Sequence, residues 1–128
     1  MPNLAYFEIP ADDVKRAKRF YTSLLGWEIN PTAMPSSMPA AMEYQDVKTG
    51  EPKEGTLSMG GMYKRQMPGS PIIVYAAVED LDRVLAKVEK LGGKVVVPKT
   101  MVEGVGPVVI IQDTEGNGIG IWQPAMKK

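Results

Sequence analysis

The 128-residue sequence contains no histidine and no cysteine. Without cysteine the chain can form neither a disulfide nor a thiolate nucleophile, and without histidine it cannot build a nucleophilic triad on an imidazole base. Zinc, iron, nickel and copper sites usually draw on imidazole or thiolate ligands, so such sites are disfavoured as well. Any metal site would have to consist of oxygen ligands, which favour magnesium, calcium or manganese.

The sequence also has no excess of charge and no long apolar run. Lys+Arg and Asp+Glu both number 15, so no global field attracts nucleic acid or anionic lipid. No apolar segment approaches the roughly 20 residues that span a bilayer, and MPNLAYFEIPADD does not resemble a signal peptide. Because 44% of the residues are hydrophobic, we expect one cytoplasmic domain over residues 1–128 that binds neither nucleic acid nor membrane.

The first clear secondary-structure signal is the alternation in LAYFEIP, residues 4–10. A strand directs successive side chains to opposite faces. Tyr6 and Glu8 therefore share one face of this strand, whereas Phe7 and Ile9 share the other. We expect the face with Phe7 and Ile9 to be covered by a helix.

A helix follows, with apolar residues at helical spacing between positions 14 and 25. Asp12 or Asp13 is suited to cap its first turn, and Gly26 is suited to end it. The apolar stripe includes Phe20, Leu24 and Leu25. Three strands are predicted next, at residues 27–29, 42–48 and 56–64, with a proline-rich loop over residues 31–42.

The second half of the sequence repeats this order. IIVYAAV (72–78) reads as a strand, Asp80 caps a helix, and Gly92 and Gly93 end it. The segments KVVV, VVIIQD and GIGIWQ read as three further strands. The predicted core positions of this helix are Leu81, Val84, Leu85, Val88 and Leu91.

A shift of 67 residues (80 minus 13) superimposes the two halves. It places Asp13 on Asp80, Arg16 on Arg83, Leu24 on Leu91 and Gly26 on Gly93. We therefore predict an α+β fold of two βαβββ modules, at about residues 3–65 and 71–124, whose curved mixed sheets enclose a cleft. The helix-facing residues of the second module are predicted to be Val74, Ala76 and Val78. The residues predicted to face the cleft are Tyr6, Glu8, Ile73, Tyr75, Gly120 and Trp122.

The segments FEIPADDVKRAKRFYTSLLGW, VEDLDRVLAKVEKLGG and DTEGNGIGIWQ resemble the vicinal oxygen chelate superfamily. This superfamily includes glyoxalase I, extradiol dioxygenases, methylmalonyl-CoA epimerase, and the bleomycin- and fosfomycin-resistance proteins. The resemblance covers nearly the whole chain and is specific to the fold, but it is not specific to one activity. It also implies a homodimer, because many members build or complete their clefts by dimerisation.

In members that bind metal, the resemblance places the ligands on the first and last strands of each module. The corresponding positions here are Tyr6 and Ile73 on the first strands, Gly120 on the last strand, and Gly60 or Gly61 as its first-module equivalent. None of these residues is a normal ligand for a divalent cation. We therefore predict a member without the usual metal centre and without a cofactor. The Gly60-Gly61 pair itself suggests a close approach of the backbone or a bulge.

The leading functional hypothesis is a metal-independent protein that captures a small molecule non-covalently, similar to the drug-sequestering resistance proteins. Aromatic side chains supply flat apolar surfaces with polar tips, although they also fill cores and dimer contacts. Glu8 could orient a cationic or hydrogen-bonding ligand, or act as a general base if burial raises its pKa. It could instead pair with a neighbouring lysine or lie at a wet cleft rim. The predicted ligand-binding residues are Tyr6, Glu8, Tyr63, Tyr75 and Trp122.

Two alternatives stay open from the sequence. The first is an enzyme, a lyase, isomerase or dioxygenase, that holds a divalent cation through oxygen ligands such as Glu8 and Glu43. The absence of side chains at Gly60 and Gly120 argues against this enzyme. The second alternative is an interaction subunit whose cleft is vestigial. The identity of the ligand cannot be read from the residues.

Overall fold

The computed structural model describes residues 2–33, 39–51, 53 and 57–124. The predicted loop at 31–42 and the predicted strand at 56–64 extend into residues 34–38 and 56, which lie outside the described residues. The chain divides into two compact units, one comprising Tyr6–Ile72 and the other Ile73–Lys128 together with Met1–Ala5. Each unit has its own sheet strands and one α-helix, which confirms the α+β class.

The first unit contains four strands in the order β2-β3-β4-β1. β1 and β4 are parallel, whereas β2 with β3 and β3 with β4 are antiparallel. The sheet is therefore mixed, as predicted. The strands are β1 (Leu4–Ala11), β2 (Glu28–Pro31), β3 (Gln45–Lys48) and β4 (Met59–Lys64).

Helix α1 (Val14–Leu25) follows β1, as predicted from the apolar spacing. The Asp13 carboxylate accepts a hydrogen bond from the backbone N–H of Arg16 at 3.0 Å, so Asp13 is the cap. Gly26 ends the helix at φ 73°, a left-handed conformation that glycine adopts without steric cost.

The helix covers the face of β1 that carries Phe7 and Ile9. The Phe7 ring lies 6.2 Å from that of Trp27, and Tyr21 of the helix stacks on Trp27 at 5.3 Å. The predicted apolar stripe is too wide, however, because Phe20, Leu24 and Leu25 are all more than half exposed. A short helix on a four-stranded sheet buries only its central line of side chains, of which Val14 is the buried member.

The segment before β3 departs from the predicted strand at 42–48. Ala40–Met42 form a single turn of 3-10 helix, and Glu43 adopts a left-handed φ of 48° before the strand begins at Gln45. Glu43 is the one residue other than glycine with a positive φ in the described part of the chain. In the preceding strand, β2 runs on to Pro31, which the sequence assigned to the loop.

The second unit repeats the topology with its strands in the order β6-β7-β8-β5. β5 and β8 are parallel, and the other two pairs are antiparallel. This is the same arrangement as in the first unit, which confirms two βαβββ modules. The strands are β5 (Ile73–Ala77), β6 (Lys94–Val102), β7 (Gly106–Gln112) and β8 (Gly118–Trp122).

Helix α2 (Leu81–Val88) is capped by the Asp80 carboxylate, which accepts the backbone N–H of Arg83 at 3.1 Å. Its core positions surround a cluster formed by Leu81, Val109 and Ile121. The predicted burial of Leu91 is wrong, because Leu91 follows the helix in a turn and is 73% exposed. The partly buried residues around the cluster are Ala76, Val78, Val84, Leu85 and Ile111.

Neither of the two α-helices in the described residues is long and apolar enough to cross a bilayer.

Candidate ligand-binding site

Three polar side chains form a hydrogen-bonded chain on the first unit's sheet, on the face away from Phe7. The Tyr44 hydroxyl donates to Glu8 Oε2 at 2.7 Å. The Tyr6 and Tyr44 hydroxyl oxygens are 2.8 Å apart. Tyr6 and Glu8 therefore share a face of β1, as predicted, and Tyr44 connects them.

The strand register explains how this cluster is assembled. Glu8 of β1 pairs with Gly61 of β4, which in turn pairs with Asp46 of β3. A Cβ atom at Gly61 would overlap the hydroxyl and ring of Tyr44, so only glycine leaves space for this ring. Tyr63 lies two residues further along β4, and its ring is nearly parallel to that of Tyr44, with 6.4 Å between centroids.

Tyr44 is the central residue of the cluster, and sequence reasoning did not identify it. The left-handed Glu43 turns the chain from the 3-10 turn towards β3, and the Tyr44 carbonyl accepts the backbone N–H of Thr32 at 3.2 Å. Tyr44 precedes β3, so the alternation of that strand does not determine the direction of its side chain.

Burial and the charge of Glu8 keep the three phenols of this face protonated. Burial raises the pKa of Tyr6 to about 12, with the Tyr44 hydrogen bond lowering it and the charges of Glu8 and Asp46 raising it further. Burial, followed by the Glu8 charge, raises the pKa of Tyr44 well above its ordinary value. The pKa of Tyr63 is raised by the same two causes and lowered by Arg65.

Two of the predicted ligand-binding residues lie in the second unit. The Tyr75 ring lies over Gly120, where a Cβ atom would overlap the ring itself, and Tyr75 is buried. The Trp122 indole N–H donates to the Val105 carbonyl at 2.9 Å. The structure thus brings Tyr6, Glu8 and Tyr63 around Tyr44, and ligand contact by Tyr75 and Trp122 stays a prediction.

The register also identifies the first-module equivalent of Gly120. Tyr75 pairs with Gly120, and Glu8, which is 67 residues before Tyr75, pairs with Gly61. Gly61 is therefore the equivalent position, and Gly60 faces the Phe7 ring on the helix side. Gly60 and Gly61 both lie within β4 and have no room for a Cβ atom. This confirms the close approach that the sequence suggested.

The residues at the four superfamily ligand positions do not fit a divalent cation. Gly61 and Gly120 have no side chain, and tyrosine rings fill the space that one would occupy. Ile73 has no ligand atom, and Tyr6 keeps its proton because its pKa is raised to about 12. Within residues 2–33, 39–51, 53 and 57–124, no three acidic side chains are grouped closely enough to hold an ion.

Two cavities differ in how they relate to this cluster. The first unit contains an open cavity of about 230 Å³ beside Tyr44, lined also by Thr32, Glu43 and Gln45. A larger cavity of about 640 Å³ lies between α2 and the end of β7 in the second unit. Its lining includes apolar residues and side chains of both charges, with Arg83 and Lys87 as the basic ones. Of these two cavities, the smaller one is lined by Tyr44 of the hydrogen-bonded chain, and the larger one by no member of it.

Solved structures show which known folds this chain is similar to. Methylmalonyl-CoA epimerase from Mycobacterium tuberculosis superimposes with a TM-score of 0.67 at 16% identity, covering 96% of this chain and 88% of that one. A superfamily member from Vibrio splendidus 12B01 gives a TM-score of 0.63 at 14% identity, covering 98% and 100%. At such low identity, these similarities establish the fold alone.

Sequence relatives have higher identity. A glyoxylase-like domain-containing protein of Didymella fabae is 34% identical over 116 residues, which are 86% of this chain and 84% of that protein. The protein named as a glyoxylase, CFP32, of Mycobacterium tuberculosis is 31% identical over 119 residues, which are 92% of this chain and 44% of its own length. The chain thus spans about half the length of CFP32.

The family profile described as Glyoxalase/Bleomycin resistance protein/Dioxygenase superfamily matches residues 3–121. This match covers both βαβββ modules and agrees with the resemblance seen in the sequence. The chain belongs to the glyoxalase/bleomycin resistance protein/dioxygenase superfamily.

Proposed function

We propose that this protein binds a small organic molecule non-covalently on the face of the first unit that carries Tyr6, Glu8, Tyr44 and Tyr63. The observation that carries the proposal is the Tyr6–Tyr44–Glu8 hydrogen-bonded chain. Buried polar groups are costly unless they are paired, and ligand sites combine aromatic surfaces with a few fixed polar groups. A tyrosine-lined sheet face with one ordered polar network matches that description.

The glycine at position 61 supports binding by this face rather than chemistry on a metal. The space above Gly61 is filled by Tyr44, so the position that a carboxylate ligand would occupy instead supports an aromatic ring. Enolisation in this superfamily requires a positive centre to stabilise charge that develops on substrate oxygens. Here the Glu8 charge raises the pKa of three neighbouring phenols, which disfavours negative charge on the same face.

The competing proposal is an enzyme that holds a divalent cation through Glu8 and Glu43. Glu8 accepts the Tyr44 hydroxyl, and Glu43 is 4.0 Å from the Lys64 ammonium, so both carboxylates already have partners. The melting temperature with and without Mn²⁺ or Mg²⁺ tests this enzyme directly. A saturable increase that EDTA reverses would favour the enzyme over the binding protein, because a ligand of the folded state raises its apparent stability.

Binding can be tested by NMR with ¹³C-labelled tyrosine side chains and a fragment set of neutral, cationic and anionic molecules at millimolar concentration. Binders are expected to shift the ring signals of Tyr6, Tyr44 and Tyr63. Tyr21 is the internal control, because it stacks on Trp27 on the helix side of the same unit. Fragments that bind only in the second unit, or no binder at all, would overturn the proposal.

A variant that removes one aromatic surface gives a second, independent measurement. Tyr63→Ala deletes the ring that lies parallel to Tyr44. Loss of an aromatic contact costs about 0.5–1.5 kcal/mol beyond its area, so fragment affinity should fall roughly 3- to 10-fold. Tyr63→Phe is the matched control, since it keeps the ring. It should retain most of the affinity.

A further inference from the structure

We infer that the exposed surface of helix α1 is a docking site for an acidic, amphipathic helix of another protein. This α1 surface consists of two apolar and four basic side chains of the helix. It does not belong to the tyrosine-lined face, and the inference does not rest on the proposed function. The residues of the α1 surface are Lys15, Arg16, Lys18, Arg19, Phe20 and Leu24.

The first feature of this surface is its apolar part. Phe20 is 58% exposed and Leu24 is 63% exposed, although large apolar side chains gain free energy when they leave water. Arg16, Phe20 and Leu24 are spaced four residues apart, so they lie in one row along the helix. The Phe20 ring meets the Tyr21 ring edge-on, with 5.3 Å between centroids. A partner would therefore meet an aromatic ring that a neighbour already holds, which lowers the entropic cost of binding.

The second feature is the positive charge of the helix. Its 12 residues include four basic side chains and no acidic one. Within residues 2–33, 39–51, 53 and 57–124, none of these four side chains belongs to an ion pair. The capping carboxylate of Asp13 interacts with the charges of Arg16 and Arg19, but one carboxylate cannot balance four cations. The surface is therefore complementary to a partner that carries several carboxylates.

The third feature is that the equivalent helix of the second unit has no such surface. With the shift of 67 residues, Phe20 corresponds to Lys87, and Lys15 corresponds to Asp82. Asp82 in turn pairs with Lys99 at 2.8 Å. Both helices have the same kind of cap and the same place in their units, so the fold does not require an exposed phenylalanine among cations. Such a patch indicates an interaction surface. Two further cations of α1 are replaced by apolar residues, Lys18 by Leu85 and Arg19 by Ala86.

A helix of a partner protein fits this surface better than a membrane does. Two apolar side chains one turn apart are the kind of anchor that helix recognition uses. A helix that binds a bilayer instead needs a broad apolar face. The inner apolar side chains of α1 are not available for this, because Val14 is buried and Tyr21 stacks on Trp27. Helix α1 is about 18 Å long, which gives a partner helix about three turns of contact.

The two phenylalanines of the chain make the test specific. With ¹³C-labelled phenylalanine, the ring signals of Phe20 report on the α1 surface, and those of the buried Phe7 are the internal control. The probe is a helical peptide of about 16 residues, made of alanine, glutamine and glutamate with a pair of leucines one turn apart. It should shift the Phe20 signals in a saturable way and leave those of Phe7 unchanged. Added salt should weaken its binding, and the same peptide with lysine in place of glutamate should not bind.

Variants separate the apolar anchor from the charge. Phe20→Lys introduces the residue that the second unit carries at the equivalent position and adds a cation. Attraction by charge alone would then tighten the binding of a fluorescent acidic peptide, whereas loss of the anchor should weaken it about tenfold. The double variant Arg16→Gln/Arg19→Gln should also bind about tenfold more weakly. Arg83→Gln is the matched control, because Arg83 of α2 is equivalent to Arg16, and it should leave the affinity unchanged.

Several outcomes would overturn the inference. Equal binding of the glutamate and lysine peptides would show that charge has no part, and tighter binding by Phe20→Lys would show that there is no apolar anchor. Phe20 signals that respond to vesicles of phosphatidylserine and phosphatidylcholine, but not to the peptide, would identify a membrane as the occupant. Phe20 signals that move with protein concentration alone would identify a second copy of this chain. The absence of any response from the unsubstituted protein would show that α1 is only a solvated helix.

Discussion

The two units share one topology but fill equivalent positions with different chemistry. In the first unit Glu8 pairs with Gly61, and the space above the glycine is taken by Tyr44, whose hydroxyl donates to Glu8. In the second unit the equivalent pair is Tyr75 and Gly120, and the Tyr75 ring itself lies above the glycine. The first arrangement presents a polar network, and the second presents a buried aromatic ring.

This difference shows where the two copies have specialised. Tyr6 and Glu8 of the first unit correspond, 67 residues later, to Ile73 and Tyr75. Ile73 and Tyr75 are both buried, as core residues are. The helices, caps and strand order are shared, so the fold does not require the polar residues. A costly polar network that the fold does not require is expected to serve a ligand.

The largest expected loss of stability comes from adding one methyl group beneath Tyr75 or beneath Tyr44. Gly120→Ala would overlap the ring of the buried Tyr75, and Gly61→Ala would overlap Tyr44. Overpacking of this kind costs about 1–3 kcal/mol, and Gly120→Ala should lie at the upper end because the body of a ring must move. Urea unfolding of each variant gives its free energy of unfolding, which is compared with that of the unsubstituted protein.

Gly50→Ala is the matched control for these two variants. Gly50 is exposed and has no atom within 4 Å of an added Cβ. The free energy of unfolding of the Gly50→Ala variant should therefore change by less than about 0.5 kcal/mol. Equal stability of all three alanine variants would contradict the assignment of the glycines to ring packing.

The next largest effect is a loss of stability in alkali that comes from Tyr6 of the first unit. Below pH 10 the Tyr6 phenol is protonated in the folded and unfolded protein, so its contribution is constant. Between pH 10 and about 12 only the unfolded phenol ionises, because the folded pKa is about 12. Stability therefore falls with rising pH, by an amount on the order of 2 kcal/mol. Above pH 12 the Tyr6 contribution falls no further.

Tyr6→Phe and Tyr6→Ile should both reduce this alkaline loss, since neither residue titrates. Tyr6→Ile introduces the residue that the second unit carries at the equivalent position. Urea unfolding at pH 9, 10 and 11 gives the slope for each protein. An unchanged slope in both variants would show that Tyr6 ionises with its ordinary pKa in the folded state.

Removing the Tyr44 hydroxyl should have a smaller effect. Tyr44→Phe deletes the donor to Glu8 while keeping the ring above Gly61. A hydrogen bond to a charged group contributes about 1.5–3 kcal/mol. Glu8 is not fully buried, so water can partly replace the lost donor, and the free energy of unfolding should fall by about 1.5 kcal/mol. Tyr21→Phe is the matched control, because its hydroxyl makes no hydrogen bond to the described residues. A larger loss in Tyr21→Phe would contradict the role of the network.

The smallest effects are expected where the two units are alike. Asp13→Ala and Asp80→Ala each remove a carboxylate that accepts the backbone N–H three residues later. The two melting temperatures should fall by similar amounts, and by less than in Tyr44→Phe. The Asp13 contribution should disappear in acid, because the Arg16 backbone N–H lowers its pKa below 3.8. Unequal losses at neutral pH would show that the units differ in more than the tyrosine network.

The sequence predicts the regular elements well because their signals are local. Alternation identifies β1, and apolar spacing with Asp13 and Gly26 identifies α1. Burial of side chains at the helix ends is predicted poorly, as Leu24 and Leu91 show, since it depends on how far the sheet extends beneath each helix. The superfamily could be predicted from combined motifs, whereas its chemistry could not.

The central site residue was missed for a different physical reason. The position of Tyr44 depends on a left-handed Glu43, and glutamate carries no local signal for a positive φ. The contact of Tyr44 with Glu8 joins residues 36 positions apart in the chain. By contrast, Tyr6, Glu8 and Tyr63 lie in regular strands, where alternation determines the face of the sheet. Period-based reasoning therefore found the outer members of the cluster and missed its centre.

The packing of Tyr44 above Gly61 also restricts how this protein can evolve. A carboxylate at position 61 would clash with the ring, and a smaller residue at position 44 would leave Glu8 without its donor. Each of these two changes is expected to be harmful by itself, and only the two together are sterically compatible. Positions 44 and 61 are therefore expected to change together or not at all.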